Sequence, residues 1–155
     1  MKQAILGVTI LFLVWTFASV TSSAQTVSGS IARDVARRGA TTTGTIVLDI
    51  PKELHVNSSR PKSEYAIPTT VRISGKGVRV GEITYPRGEN RKFQFSEELI
   101  NVYEGTVFIW FNVTVPPNYR GKSVELKAVV RYQACTNEVC YPPRNKEVTI
   151  NARVL

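Results

Sequence analysis

Two stretches near the C-terminus alternate strictly between apolar and polar side chains. In "SVELKAVVRY", Ser123 to Tyr132, the residues Val124, Leu126, Ala128, Val130 and Tyr132 share one parity, while Glu125, Lys127 and Arg131 take the other. In "KEVTINARV", Lys146 to Val154, the residues Val148, Ile150, Ala152 and Val154 oppose Glu147, Thr149, Asn151 and Arg153. A period of two marks a strand with one buried face. From Gly44 onward the chain repeats this texture as short β-branched runs broken by Pro, Gly and Asn: Gly44 to Ile50, Ile67 to Ser74, Val78 to Tyr85 and Thr106 to Val115. Val107 to Phe111 is apolar on both parities, which predicts a central strand with its outer side covered. No segment past the N-terminus carries a long helical period. Short strands with frequent turn signals predict an all-β domain over residues 44–155, an antiparallel β-sandwich of immunoglobulin-like type. The Cys…Trp…Cys spacing of antibody domains is absent.

The N-terminus sets the compartment. Lys2 precedes an apolar run from Ala4 to Val20, and Ser22 and Ala24 stand three and one residues before a cleavage point ahead of Gln25. That layout predicts a secretory signal peptide over residues 1–24. The rival is an uncleaved anchor, for which the run is near the lower length limit and is diluted by Thr9, Thr16 and Ser19. Either way the domain is expected to be periplasmic or secreted. Residues 25–43, small, polar and Arg-rich, are expected to form a flexible lead-in with at most a helical turn near Ile31 to Arg37.

The chain carries 20 Lys and Arg against 12 Asp and Glu, a net charge of +8. These charges are scattered and form no dense run. Solubility accounts for them, with contact to an anionic envelope surface as the alternative. No nucleic-acid motif appears, no metal-ligand cluster can be assembled from one histidine and two cysteines, and no hydrolase motif accompanies His55. No cofactor is expected.

The two cysteines, Cys135 and Cys140, lie between the two alternating strands in "RYQACTNEVCYPPR", with Thr136 to Val139 as a four-residue hairpin loop. Opposed positions on antiparallel strands bring Cα atoms to about 4.5–5.5 Å, a span a disulfide can bridge. A ring of about six residues contributes roughly 2 kcal/mol in the loop-entropy model, against about 4.7 kcal/mol for a ring of about 100. The bond is a modest staple, and two uses stay open: a structural pin for a secreted binding module, or an exchangeable redox pair. Pro142 and Pro143 break the ladder beyond Cys140. Arg131, Arg144 and Lys146 favour a thiolate while Glu138 opposes it, and Tyr132 and Tyr141 are placed to shield the sulfurs.

"VRYQACTNEVCYPP" resembles the active-site segment of the N-terminal periplasmic domain of the thiol:disulfide interchange protein DsbD. The likeness extends through "LDIPKELHVNSSRPKSEYAIPTTVRI", "VGEITYP" and "LINVYEGTVFIWFNVTVP", from about Thr43 to the end. It implies a thiol:disulfide oxidoreductase on an immunoglobulin-like sandwich, with thioredoxin-like proteins or domains as partners. Electrons would pass from such a donor to oxidised periplasmic proteins, in settings such as cytochrome c maturation. Cys140 is implied to form the mixed disulfide and Cys135 to resolve it. The cap loop of the family maps onto "NVYEG", so Tyr103 is the expected shield, with Val102, Glu104 and Gly105 around it. Gln133, Tyr141, Pro142 and Tyr132 border the pair. His55 falls where aromatic residues border the site in some members, against the alternative of an ordinary strand-end histidine, and the same alternative holds for Asn57. DsbD continues into a membrane domain and a thioredoxin-like domain, whereas this sequence ends at Leu155. The resemblance therefore implies a separate electron donor, such as a membrane electron transporter. Asn57-Ser58-Ser59 and Asn112-Val113-Thr114 fit the glycosylation pattern, and the bacterial origin that the resemblance implies would make them a coincidence.

Overall fold

The computed structural model describes residues 24–155; the expected signal peptide, all but its last residue, lies outside the described residues. Its strands, in chain order, are β1 (Thr26–Ile31), β2 (Val35–Ala36), β3 (Thr41–Asp49), β4 (His55–Asn57), β5 (Thr70–Gly75) and β6 (Arg79–Thr84). They continue as β7 (Glu89–Arg91), β8 (Ile100–Tyr103), β9 (Thr106–Thr114), β10 (Ser123–Tyr132), β11 (Ala134–Cys135) and β12 (Arg144–Val154). One sheet has the order β1-β3-β9-β6 and a second has β2-β12-β10-β5. Every pairing in these two is antiparallel except the short parallel contact of β2 with β12. The fold is the immunoglobulin-like sandwich that the alternation predicts.

The core forms where the inward parities meet. Ile46 and Leu48 of β3, Ile109, Phe111 and Val113 of β9, Leu126, Ala128 and Val130 of β10 and Ile150 of β12 are buried and belong to one apolar cluster. Full burial of each large aliphatic side chain is worth about 1.5–3 kcal/mol, so the two alternating strands bring much of the driving force. At Gly44 the core requires the absence of a side chain: Gly44 and Phe111 are cross-strand partners, and the Phe111 ring occupies the space where a Cβ would sit.

Two expectations need correction. Residues 25–43 are an integral part of the sandwich. β1 pairs along its whole length with β3, from Thr26 opposite Asp49 to Ile31 opposite Gly44, and Ile31 and Ala36 are buried in the core. Small residues let β1 lie close to the core; a side chain at Gly29 would run into Ile150 and Ile46. The expected turn is a 3-10 segment, Ala32–Asp34. The second correction concerns β9, whose outer parity is open to solvent: Phe108 is 46% and Trp110 40% exposed.

A third sheet, order β11-β4-β8-β7, sits beside the sandwich. It exists because the chain leaves the β10–β12 ladder after Tyr132 and rejoins it at Arg144, which are Cα partners. Residues 133–143 are thus an excursion from a continuous hairpin, and β11 within it pairs with β4.

Candidate functional site

The cystine lies at the outer edge of the third sheet. Cys135 and Cys140 are bonded, with Cα atoms 4.0 Å apart, closer than an ordinary cross-strand pair. The hairpin closes through Thr136 N–H to the Val139 carbonyl at 2.8 Å and Tyr141 N–H to the Ala134 carbonyl at 2.9 Å. The Thr136 hydroxyl caps the turn by accepting from the N–H groups of Glu138 and Val139. Cys135 is fully buried, whereas Cys140 is partly exposed.

Strand alternation decides what surrounds the sulfurs. Cys135 is opposite His55 and Ala134 opposite Val56; Val56 is in turn opposite Tyr103, and Asn57 opposite Val102. Directly opposed residues share a face and sequence neighbours take opposite faces. Ala134, Val56 and Tyr103 therefore face the main core, which all three join. Cys135, His55, Asn57 and Val102 face the other way, where Phe93, Ile100 and Val102 form a separate small apolar cluster with Ala66 against it.

Two loops cover this second face. From the loop over residues 92–99, Phe93 stacks on His55 with centroids 4.1 Å apart and planes 11° off parallel, and Phe95 stacks on Phe93 at 5.3 Å. The three rings run outward from beside Cys135. Phe95 and Ser96 join Ser63, Tyr65, Ala66 and Gln133 around a cavity of about 260 Å³ that Cys140 lines. The loop over residues 58–69 is tied down by amides. Asn57 Nδ2 donates to the Ile67 carbonyl and to Gln133 Oε1, both at 3.0 Å, and Ile67 N–H also donates to Gln133 Oε1 at 3.3 Å. Gln133 Nε2 reaches the Tyr141 carbonyl at 3.2 Å, next to Cys140. A larger cavity of about 760 Å³, lined by Arg60, Arg87 and Tyr103 among others, contains neither cysteine.

The residues singled out by sequence divide accordingly. Val102, His55, Gln133 and Asn57 come together with the cysteines. Tyr103 does not line the Cys140 cavity; its hydroxyl accepts from Ser59 N–H at 3.2 Å and donates to the Pro86 carbonyl at 3.1 Å. The "NVYEG" stretch is strand β8 followed by the tight turn into β9, in which Gly105 takes a φ of 63°. Glu104 is exposed and paired with Arg91 at 2.9 Å. Tyr132 is buried in the sandwich core, where burial pushes its phenol pKa up and Arg144 opposes. Tyr132, Tyr141 and Pro142 line a separate cavity with Arg144 and Lys146. Sequence reasoning missed Phe93, Phe95 and Tyr65. The signal was "FQF", two aromatics of one parity in a segment without strand texture.

His55 is 3% exposed, and its Nε2 is buried without a hydrogen-bond partner. Burial lowers the imidazole pKa from 6.5, and Glu104 acts in the opposite sense without overcoming it. The ring is held neutral at neutral pH. Chemically, the site offers a disulfide between a buried cysteine and a partly exposed one that lines a cavity, and, on the strand beside the buried cysteine, an imidazole whose Nε2 lacks a partner.

Known proteins resemble this chain in sequence family and in fold. The family model described as "Thiol:disulfide interchange protein DsbD, N-terminal" matches residues 23–152, a span that includes β1. Among solved structures, the N-terminal periplasmic domain of ScsB from Proteus mirabilis aligns over 88% of this chain and 49% of that one, with a TM-score of 0.57 and 9% identity. The chain thus spans about half the length of that relative, and at this identity the likeness shows the fold. A cohesin–dockerin complex from Clostridium thermocellum aligns over 84% of this chain and 99% of that one, at a TM-score of 0.46 and 15% identity. No curated protein matches the sequence.

Proposed function

Since the chain belongs to the family of N-terminal domains of the thiol:disulfide interchange protein DsbD, we propose that its cystine is a periplasmic electron relay. Reducing equivalents arrive from a thioredoxin-like donor, such as a domain of a membrane electron transporter, and leave to oxidised periplasmic proteins. The observation that carries this reading is the asymmetry of the pair: Cys135 is fully buried, and Cys140 is partly exposed at a cavity rimmed by Tyr65 and Phe95. Reduction proceeds by attack of the donor's thiolate on Cys140 Sγ, with Cys135 leaving as thiolate; a second donor thiol then releases the dithiol form. Delivery runs in reverse: the Cys140 thiolate attacks the acceptor's disulfide, and Cys135 displaces the reduced acceptor from the mixed disulfide. The shielding role inferred for Tyr103 passes to Phe95, on the loop over this face; Tyr65, 88% exposed, stands only at the rim. A structural role for the bond gains little support, because a ring this small stabilises by only about 2 kcal/mol.

The test is a trap. Cys135→Ala leaves Cys140 unable to be resolved, so periplasmic extract should yield mixed disulfides with thioredoxin-like proteins that a reductant dissolves. Cys140→Ala should yield none. The same set of adducts from both variants, or none from either, means the pair is not a relay. A reduction potential below about −300 mV, where structural disulfides lie, would also sink it.

A further inference from the structure

We propose that His55 accepts the proton of the Cys135 thiol in the step that resolves the mixed disulfide. This deepens the relay reading and rests on it. His55 and Cys135 are directly opposed on β4 and β11, a relation that places Cβ atoms about 4.5–5.5 Å apart on the same face. Both are buried, so bulk water does not reach the Cys135 sulfur to take its proton. Nε2 of His55 is buried and unpartnered in the disulfide form, and a buried polar atom without a partner costs about 1–3 kcal/mol. Opening the disulfide places an S–H across the strand from it. An acceptor that is idle in the oxidised state and supplied with a donor in the reduced state is arranged for the thiol, and not for the disulfide.

The stack on Phe93 holds the ring plane fixed. Burial keeps the imidazole neutral, the form a base requires. The charged groups nearby leave this role intact. Glu104 at the end of β8 is the charge that acts on the ring and is itself paired with Arg91, which also holds Glu89. Lys92 is bound to the Glu97 carbonyl, and Glu138 on the cystine hairpin is exposed.

In the step itself, the Cys135 S–H bond breaks and its proton moves to Nε2. The Cys135 sulfur attacks Cys140 Sγ, the new S–S bond forms, and the bond from Cys140 to the partner sulfur breaks. The partner leaves as a thiolate carrying the electron pair, and the imidazolium then gives up its proton to that thiolate or to solvent. The cysteine pair is oxidised and the partner reduced.

The experiment mixes reduced protein with bis(3-carboxy-4-nitrophenyl) disulfide, which releases one coloured thiolate when Cys140 attacks and a second when Cys135 resolves. In the wild type the second rate should level off with pH well below the range near 8.5 where a free thiol ionises. In His55→Phe, which keeps a ring to stack on Phe93, the second rate at pH 6–7 should fall at least tenfold and climb through that thiol range, with the first release unchanged. Identical pH profiles for the second release in both proteins overturn the role of His55. Absence of any second release in the wild type overturns the relay reading instead. Should His55→Phe fail to fold, the chain's single histidine gives an unambiguous NMR titration. A midpoint displaced between the disulfide and dithiol forms supports the proposal, and identical midpoints overturn it.

Discussion

At the scale of single residues, the site is a matter of parity. Tyr103 and Val102 are adjacent in sequence, yet one supports the sandwich and the other faces the cystine. Which of them did so was not legible, because "NVYEG" has an aromatic where a shield is expected and the register of β8 against β4 is set by tertiary pairing. The cysteines themselves were legible, since they are the only two and their spacing fits a hairpin. His55 was legible through resemblance alone, as a position bordering the site; its unpartnered Nε2 comes from burial beneath Phe93, which arrives from a distant loop. That burial has a thermodynamic sign. The folded-state pKa lies below the unfolded value of 6.5, so as pH falls below about 6.5 the unfolded chain takes up a proton that the native imidazole resists. Stability from this residue is present above that pH and is lost as pH drops. Urea midpoints of the oxidised protein at pH 7.5 and pH 5 should show the decline, and His55→Phe should reduce it; an equal decline in both would place the titrating group elsewhere.

At the scale of elements, the strands were the readable part and the coverings were not. β10 has the bounds its alternation predicts, and β12 begins two residues earlier, at Arg144. β1 escaped notice because "TVSGSI" carries too little apolar surface to announce a strand; it gains its place from pairing with β3 and from the space its glycine leaves. The loop over residues 92–99 escaped for a different reason. "KFQFSEEL" has neither helical nor strand period, and its two phenylalanines acquire a purpose only when β8 and β4 supply a face beneath them. This loop rests on a small cluster of Phe93, Ile100 and Val102, so it is the covering that opens at least cost. Truncation of its outer ring should open the cavity without unfolding the sandwich. Phe95→Ala is expected to raise the rate at which dithiothreitol reduces the disulfide several-fold, with thermal stability changed by less than about 1 kcal/mol because Phe95 is 39% exposed. A reduction rate equal to that of the wild type would show that Phe95 does not gate the sulfur.

At the scale of the whole molecule, the stable body and the reactive part are separable. The sandwich is held by one large apolar core, and the cystine adds about 2 kcal/mol at most, so opening the disulfide need not endanger the fold. The N-terminal strand belongs to the body. Deleting residues 25–31 removes the fully buried Ile31 and uncovers the edge of β3, and the expected loss is about 3 kcal/mol or more, measurable from urea unfolding. A truncated chain as stable as the intact one would mean that β1 is an ornament. Fold class was legible because an alternating pattern needs only local sequence. The third sheet was not, because it is assembled from four short strands that no pattern of their own would have proposed.

The excursion over residues 133–143 has an implication for how such a chain can change over generations. A sheet counts residues by twos: one insertion within β10 or β12 would turn every side chain beyond it inside out. Tyr132 and Arg144 close the ladder below the excursion, so a residue gained or lost between Cys135 and Cys140 leaves that count untouched. Ring size, and with it the ease of opening the bond, is free to drift while the body that carries it stays in register.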